Sequence, residues 1–166
     1  MRPGYELVTG ETDLLRRLRQ LSARTIIVDI EPLVAYWDGT QDALDRGLSR
    51  ILDGLSAIPA VRVVCFSTNS TRRPSSIPTM PGVQVEYLAS AGKPLRITPY
   101  QRFPRPGAVI GDQIVTDGIL ARRLGYTFLH YRPRPDHAPL GPRLLSGCGR
   151  LVRPFVFTRR GWRTGL

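Results

Sequence analysis

Apolar residues recur at two different spacings along this chain, and the two alternate. In TDLLRRLRQLSA (12–23), Leu14, Leu15, Leu18 and Leu21 share one side of a helix whose N-cap reads as Thr12. TIIVDI (25–30) is instead a short continuous apolar run, the pattern of a strand buried on both faces. Helical spacing returns over 41–58 with Leu44, Leu48, Ile51, Leu52 and Leu55. VRVVCF (61–66) predicts a second strand that runs into Ser67, Thr68 and Asn69. Pro74, Pro78 and Pro81 exclude a full helix between 70 and 82. VQVEYL (83–88) predicts a third strand, and 91–103 a loop with one helical turn. GAVIGD (107–112) follows as a strand, QIVTDGILARRL (113–124) as a helix and YTFLHY (126–131) as a fifth strand. The residues before 12 read as loop. No internal repeat is present.

Strands that alternate with helices predict an α/β fold: a Rossmann-like parallel sheet with helices on both faces. A length of 166 residues suits one domain, drawn here over 1–135, with a basic Pro/Arg-rich tail over 136–166. In such sheets the ligand site lies beyond the carboxyl ends of the strands. Asp29, Ser67, Lys93 and Asp112 all fall at those ends. The stretches between them are too short for a separate cap domain, so the site is expected to be open. An open site favours substrates that cover it themselves, such as lipids at a membrane face or macromolecules.

Composition narrows the classes. With 42% hydrophobic and 22% charged residues the chain is globular rather than disordered. No apolar run approaches the ~20 residues of a membrane span, and no apolar core follows Arg2 to make a secretory signal. Cys65 and Cys148 are too few for a disulfide framework, which points to the cytoplasm. With His130 and His137, read as surface residues, they also lack the spacing of a zinc site.

Charge changes the picture more. Of the formal +11, residues 121–166 contribute +9 and residues 1–120 only +2. A cationic tail carrying Phe155, Phe157 and Trp162 suits an anionic membrane surface, so a peripheral membrane location is expected as well. Phosphorylated substrates are the other partner class. Nucleic acid is disfavoured, because no aromatic–basic stacking motif is visible. Of 24 basic residues 23 are Arg, and the single Lys is Lys93. A compact ammonium on a flexible stem is needed where one point charge must enter a tight anionic site.

Two acids, a hydroxyl and an ammonium on one rim suit phosphoryl transfer through an aspartyl phosphate. Mg²⁺, a hard cation held by oxygen ligands, suits the phosphate charge. The order Asp29, Ser67, Lys93 and Gly111-Asp112 with Thr116-Asp117 resembles the four motifs of the haloacid dehalogenase (HAD) superfamily. TIIVDIEPLVAYW, AGKP (91–94) and GDQIVTDGILARRLGY (111–126) resemble the YqeG-type, phosphatidylglycerophosphate phosphatase-like family within it, over about residues 5 to 132. The resemblance implies a capless Mg²⁺-dependent phosphatase, with a lipid phosphate such as phosphatidylglycerophosphate as one candidate substrate. It implies that Asp29 is the nucleophile, Glu31 the general acid/base and Lys93 the stabiliser of the transferred phosphoryl group. Ser67, with Thr68 and Asn69 beside it, corresponds to the phosphate-binding motif. Asp29, the backbone carbonyl of Glu31, Asp112 and Asp117 correspond to the metal ligands.

The sequence departs from that pattern at three places. Glu31 stands where the family has Asp, and its extra methylene displaces the carboxylate by about 1.5 Å. Misplacement by ~1 Å can cost ~100-fold in rate. Pro32-Leu33-Val34 replaces Asn-Thr-Leu, and the prolines of 74–81 stand where the family has a helix. A module of the same fold that binds phosphorylated or anionic partners without turnover is therefore the alternative function.

Taken singly, each residue also has an ordinary role. Asp29 can cap a turn, Asp112 the helix at 113, and Asp117 can sit on a solvated face. Cys65 reads as strand packing, and it reaches Arg72 with one residue too many for a Cys-x5-Arg phosphatase loop. A receiver domain carries its second acid pair before the lysine rather than after it. A dinucleotide fold needs Gly-x-Gly-x-x-Gly where this chain has DIEPLVAYWDG.

Overall fold

The apolar runs at 25–30, 61–66 and 107–112 become adjacent strands, and their side chains alternate between two separate cores. The computed structural model describes residues 4–132 together with Val156 and Phe157. Its elements are β1 (Tyr5–Val8), α1 (Glu11–Leu21), β2 (Thr25–Asp29), α2 (Gln41–Ser56), β3 (Val63–Ser67) and β4 (Gln84–Leu88). After these come α3 (Thr98–Gln101), β5 (Gly107–Gly111), a π-helical segment (Ile114–Gly118), α4 (Ile119–Leu124) and β6 (Thr127–Tyr131). The six strands form one sheet in the order β1-β6-β5-β2-β3-β4, and every pair is parallel. The fold is α/β and Rossmann-like, as the alternation predicts.

A central parallel strand needs apolar side chains on both faces, and β2, β3 and β5 are buried at every position. Ile26, Val28, Val64 and Phe66 pack against α1 and α2 through Leu14, Leu18, Leu48 and Leu52. Ile27, Cys65, Val109 and Phe128 point the other way and pack against α3 and α4 through Tyr100, Leu120 and Leu124. Helices therefore cover both faces. The edge strand β4 is half exposed, and its five residues are covered less than those of any central strand.

The structure corrects four expectations. Tyr5–Val8 is a strand rather than loop, paired with β6 from Tyr5↔Phe128 to Val8↔Tyr131. The helix that begins at Glu11 has Gly10 as its N-cap and no side-chain cap, so Thr12 lies inside the first turn. Glu11 and Asp13 in that turn complement the helix dipole instead. The helix over 113–124 is split into the π-helical segment and α4. Phe157 does not face outward: it is buried between Tyr5, at 5.2 Å between ring centroids, and Phe128, stacked at 5.9 Å. The rest of the expected tail over 136–166, with Phe155, Trp162, His137 and Cys148, lies outside the described residues. Among the described residues no helix is long and apolar enough to cross a membrane.

The chain after β2 must turn sharply under α2, and Gly47 is where the two meet. A Cβ at Gly47 would stand 2.0 Å from the Val34 carbonyl oxygen. Gly47→Ala is expected to lose roughly 1–3 kcal/mol of stability, the usual cost of overpacking, as a lower midpoint in chemical denaturation. An unchanged midpoint would mean that the loop carrying Glu31 is not held against α2.

Candidate functional site

Strand order reverses at β2. The chain moves from β2 to β3 on one side and later returns to lay β5 on the other, so a crevice opens beyond the carboxyl ends of β2 and β5. Asp29 is the last residue of β2, and Asp112 follows the last residue of β5. Asp29, Lys93, Asp112 and Asp117 meet in this crevice.

The Lys93 ammonium is buried. Its Nζ donates to Asp29 Oδ1 at 2.7 Å, to Asp117 Oδ1 at 2.8 Å and to the Ser67 carbonyl at 3.4 Å. Burial alone would lower its pKa, but the Asp117 and Asp29 carboxylates outweigh that and hold it above the ordinary lysine range. Asp29 Oδ1 also accepts from the Ile30 amide at 3.0 Å. Both hydrogen bonds fall on Oδ1, and Oδ2 accepts none among the described residues. Burial, with the Asp117 charge, pushes the Asp29 pKa well above the usual carboxylate range, against the pull of Lys93.

Asp117 reaches this centre because the backbone before α4 is wound wide. The Gly118 amide donates to the Gln113 carbonyl at 3.2 Å, five residues back, and the Asp117 amide donates to the same oxygen at 2.9 Å. Such single π turns occur often at functional sites. The Asp117 carboxylate is fully buried against Gly111, where a Cβ would stand 2.3 Å from its Oδ2. Oδ2 accepts from Thr116 Oγ1 at 3.2 Å.

Asp112 is the third acid. Its Oδ1 is buried and has no hydrogen-bond donor among the described residues. Burial, reinforced by Asp117, raises its pKa from the ordinary 3.8 to about 7. Behind it, His130 Nε2 lies 3.0 Å from the Asp112 carbonyl oxygen, and His130 Nδ1 lies 2.7 Å from the Tyr5 hydroxyl. Because a carbonyl only accepts, Nε2 carries a proton and donates it to Asp112. His130 is thus a buried support of the site rather than a surface residue.

The remaining sequence-predicted residues divide. Glu31 is buried, and its Oε2 accepts from Thr68 Oγ1 at 2.9 Å. Its carboxylate is engaged there and is not part of the acid triad of Asp29, Asp112 and Asp117. The Ser67 hydroxyl does not line the pocket, because it pairs with the Tyr100 hydroxyl at 2.6 Å on the far side of the strand. Alternation along β3 turns it there, and Thr68 takes the place in the pocket instead. Asn69 lines the pocket, but its amide clamps the backbone of Lys93. Nδ2 donates to the Lys93 carbonyl at 3.0 Å, and Oδ1 accepts from the Lys93 amide at 2.8 Å. Asn69 is a positioning residue for the ammonium.

The pocket over these groups has a volume of about 430 Å³. Asp29, Glu31 and Lys93 line it together with the loop 68–72, and Trp37, Gln113 and Thr116 complete the wall. Arg72 is pinned in place. Nη1 donates to the Tyr36 carbonyl at 2.9 Å, and Nη2 to those of Gly39 at 2.7 Å and Thr40 at 2.9 Å. The loops after β2 and β3 are thereby tied across the mouth. Sequence reading does not find Arg72, since one arginine among 23 carries no signal. Trp37 is visible only as the last residue of the stretch after Asp29.

A divalent cation fits this centre. The three carboxylates offer ligand oxygens within 4.8 Å of one another, and the orphaned Asp112 Oδ1 awaits a positive partner. Three carboxylates against one ammonium leave a formal −2, which a divalent ion would balance. Hard oxygen donors alone favour Mg²⁺ or a similar ion over softer metals. No protein-family model, curated protein or solved structure matches the chain.

Asp112 carries a raised folded-state pKa, so without metal its contribution to stability is full below the unfolded value of 3.8 and is lost as pH rises through about 7. The metal-free protein is therefore expected to melt at lower temperature at about pH 8 than at about pH 5. Millimolar Mg²⁺ should raise the melting temperature most at the higher pH, where the carboxylates need no proton displaced. Asp112→Asn should weaken the pH trend of that Mg²⁺ shift and remove most of its size, Asp29 keeping part of the trend. A shift equal in wild type and variant would remove Asp112 from the metal site.

Proposed function

We propose that this chain is a phosphomonoester phosphatase of the HAD type, acting through an aspartyl phosphate with a divalent cation, Mg²⁺ by preference. The observation that carries the reading is the bridge from Asp29 Oδ1 through Lys93 Nζ to Asp117 Oδ1, which leaves Asp29 Oδ2 to the pocket. In this reading Oδ2 attacks phosphorus in line with the leaving oxygen, and Glu31 gives that oxygen a proton as the ester bond breaks. Glu31 then takes a proton from water, whose oxygen attacks the phosphoryl group and releases Asp29 and inorganic phosphate. Lys93 holds Asp29 in place and faces the negative charge of the transferred group. Thr68 holds the Glu31 carboxylate at a fixed point, which offsets the freedom that its longer side chain brings. A divalent cation on Asp29, Asp112 and Asp117 would keep these carboxylates ionised and offset the phosphoryl charge.

The engagement of Glu31 by Thr68 also favours a second reading, a module that binds phosphate groups without turnover. Phosphate release in Mg²⁺ separates the two. Wild type is expected to release phosphate from soluble phosphomonoesters, Asp29→Asn to fall to background, and Glu31→Gln to lose roughly 10²–10⁴-fold in kcat. Release by Asp29→Asn at the wild-type rate would dismiss the nucleophile. Silence from wild type with clear release by Glu31→Asp would establish the binding module.

A further inference from the structure

Resting on the cation site and not on turnover, we propose that Phe157 is a positioning residue that completes that site from behind. Two of the three acids, Asp112 and Asp117, sit on one short stretch of chain between β5 and α4. That stretch moves as a unit. The Asp112–Gln113 peptide is planar, and the Gln113 carbonyl accepts from the amides of Asp117 at 2.9 Å and Gly118 at 3.2 Å. A single group of aromatic rings holds both of its ends. At the first end the His130 imidazole donates to the Asp112 carbonyl at 3.0 Å. The same imidazole lies 2.7 Å from the Tyr5 hydroxyl and stacks on Phe128 at 5.5 Å between centroids. At the second end Gly118 lies so close to Phe128 and Phe157 that a Cβ there would stand 3.3 Å from each ring.

Phe157 touches the rings at both ends. It is buried, stacks on Phe128 with 9° between the planes and meets Tyr5 at 5.2 Å between centroids. A polar latch keeps it there, because Arg122 Nη1 on α4 donates to the Val156 carbonyl at 3.0 Å. Removing the Phe157 ring would leave a space beside Tyr5, which bonds His130, and beside Gly118, which follows Asp117. Neighbours relax partly into such a space, so both acids would shift together. Mg²⁺ demands near-ideal octahedral geometry, and displacing two of its ligands lowers affinity. Packing on the other face of the sheet has no such connection: Leu52 is buried in the core under α2, which contains none of these rings.

Calorimetric titration of the full-length chain with Mg²⁺, at a temperature where circular dichroism shows each variant folded, tests this. Phe157→Ala and Leu52→Ala each empty a buried position, one in each core, and both should melt at lower temperature without metal. Only Phe157→Ala is expected to weaken Mg²⁺ binding, by about 5-fold or more, the lower end of coupling between separated groups. Phe157→Met refills the space with an adaptable apolar side chain and should restore most of the affinity. Tyr5→Phe keeps every ring and removes only the hydroxyl beside His130. It should weaken Mg²⁺ binding as well, with little change in metal-free melting. Wild-type affinity in Phe157→Ala, or in Tyr5→Phe where Phe157→Ala does not fold, would overturn the inference. Equal weakening in Leu52→Ala would also overturn it, leaving Phe157 as ordinary packing. A wild type that binds no Mg²⁺ would overturn it together with the cation site. Mg²⁺ affinity that depends on Phe157, with no phosphate release by wild type, would remove the catalytic reading and keep this one.

Discussion

A single ammonium group organises this structure. Lys93 Nζ sits buried between two carboxylates, and among the described residues neither acid has another cation. Attraction of that kind is strong in a low-dielectric interior, but it only offsets the cost of burying the three charges when the geometry is good. Breaking such an arrangement by removing one partner typically costs about 3–5 kcal/mol. Much of the surrounding chain serves to bring it about. Asn69 fixes the lysine backbone, the wide turn at Ile114–Gly118 swings Asp117 inward, and the bare Cα of Gly111 makes room for its carboxylate.

The arrangement is saturated on one side and unfinished on the other. Lys93 has its partners, whereas among the described residues Asp112 Oδ1 has no hydrogen-bond donor and Asp29 Oδ2 none either. Excess negative charge at the end of a switch-point crevice is a poor way to stabilise a fold. A divalent cation held there would balance that charge. The outer wall differs in character: it is rich in hydroxyls, and Arg72 ties the two loops that form it to each other.

Most of the fold was legible because its signals are local. Continuous apolar runs at 25–30 and 107–112 can only be central strands, and five Leu and Ile at helical spacing over 41–58 can only be one face of a helix. Tyr5–Val8 escaped because an edge strand of four residues carries little pattern of its own and is held by pairing with residues 123 positions later. The lone lysine and the acids at strand ends pointed to the site for the same local reason. The partners did not show. Whether Ser67 or Thr68 faces the pocket depends on the pleat, which a one-residue shift reverses. That Asp117 turns inward depends on a helix wound wider than its sequence spacing implies. His130 was misread because its place is set by Tyr5, at the other end of the chain.

The burial of Phe157 has a consequence for where this protein can be shortened. Its ring stacks on Phe128 and meets Tyr5 at a tilt, closing a three-ring cluster, and the Tyr5 hydroxyl in turn holds the imidazole behind Asp112. A chain trimmed at the composition change near residue 135 would keep every sheet strand yet open one flank of that cluster to solvent. Such trimming would first loosen the footing of Asp112, through Tyr5 and His130, and only afterwards the sheet itself.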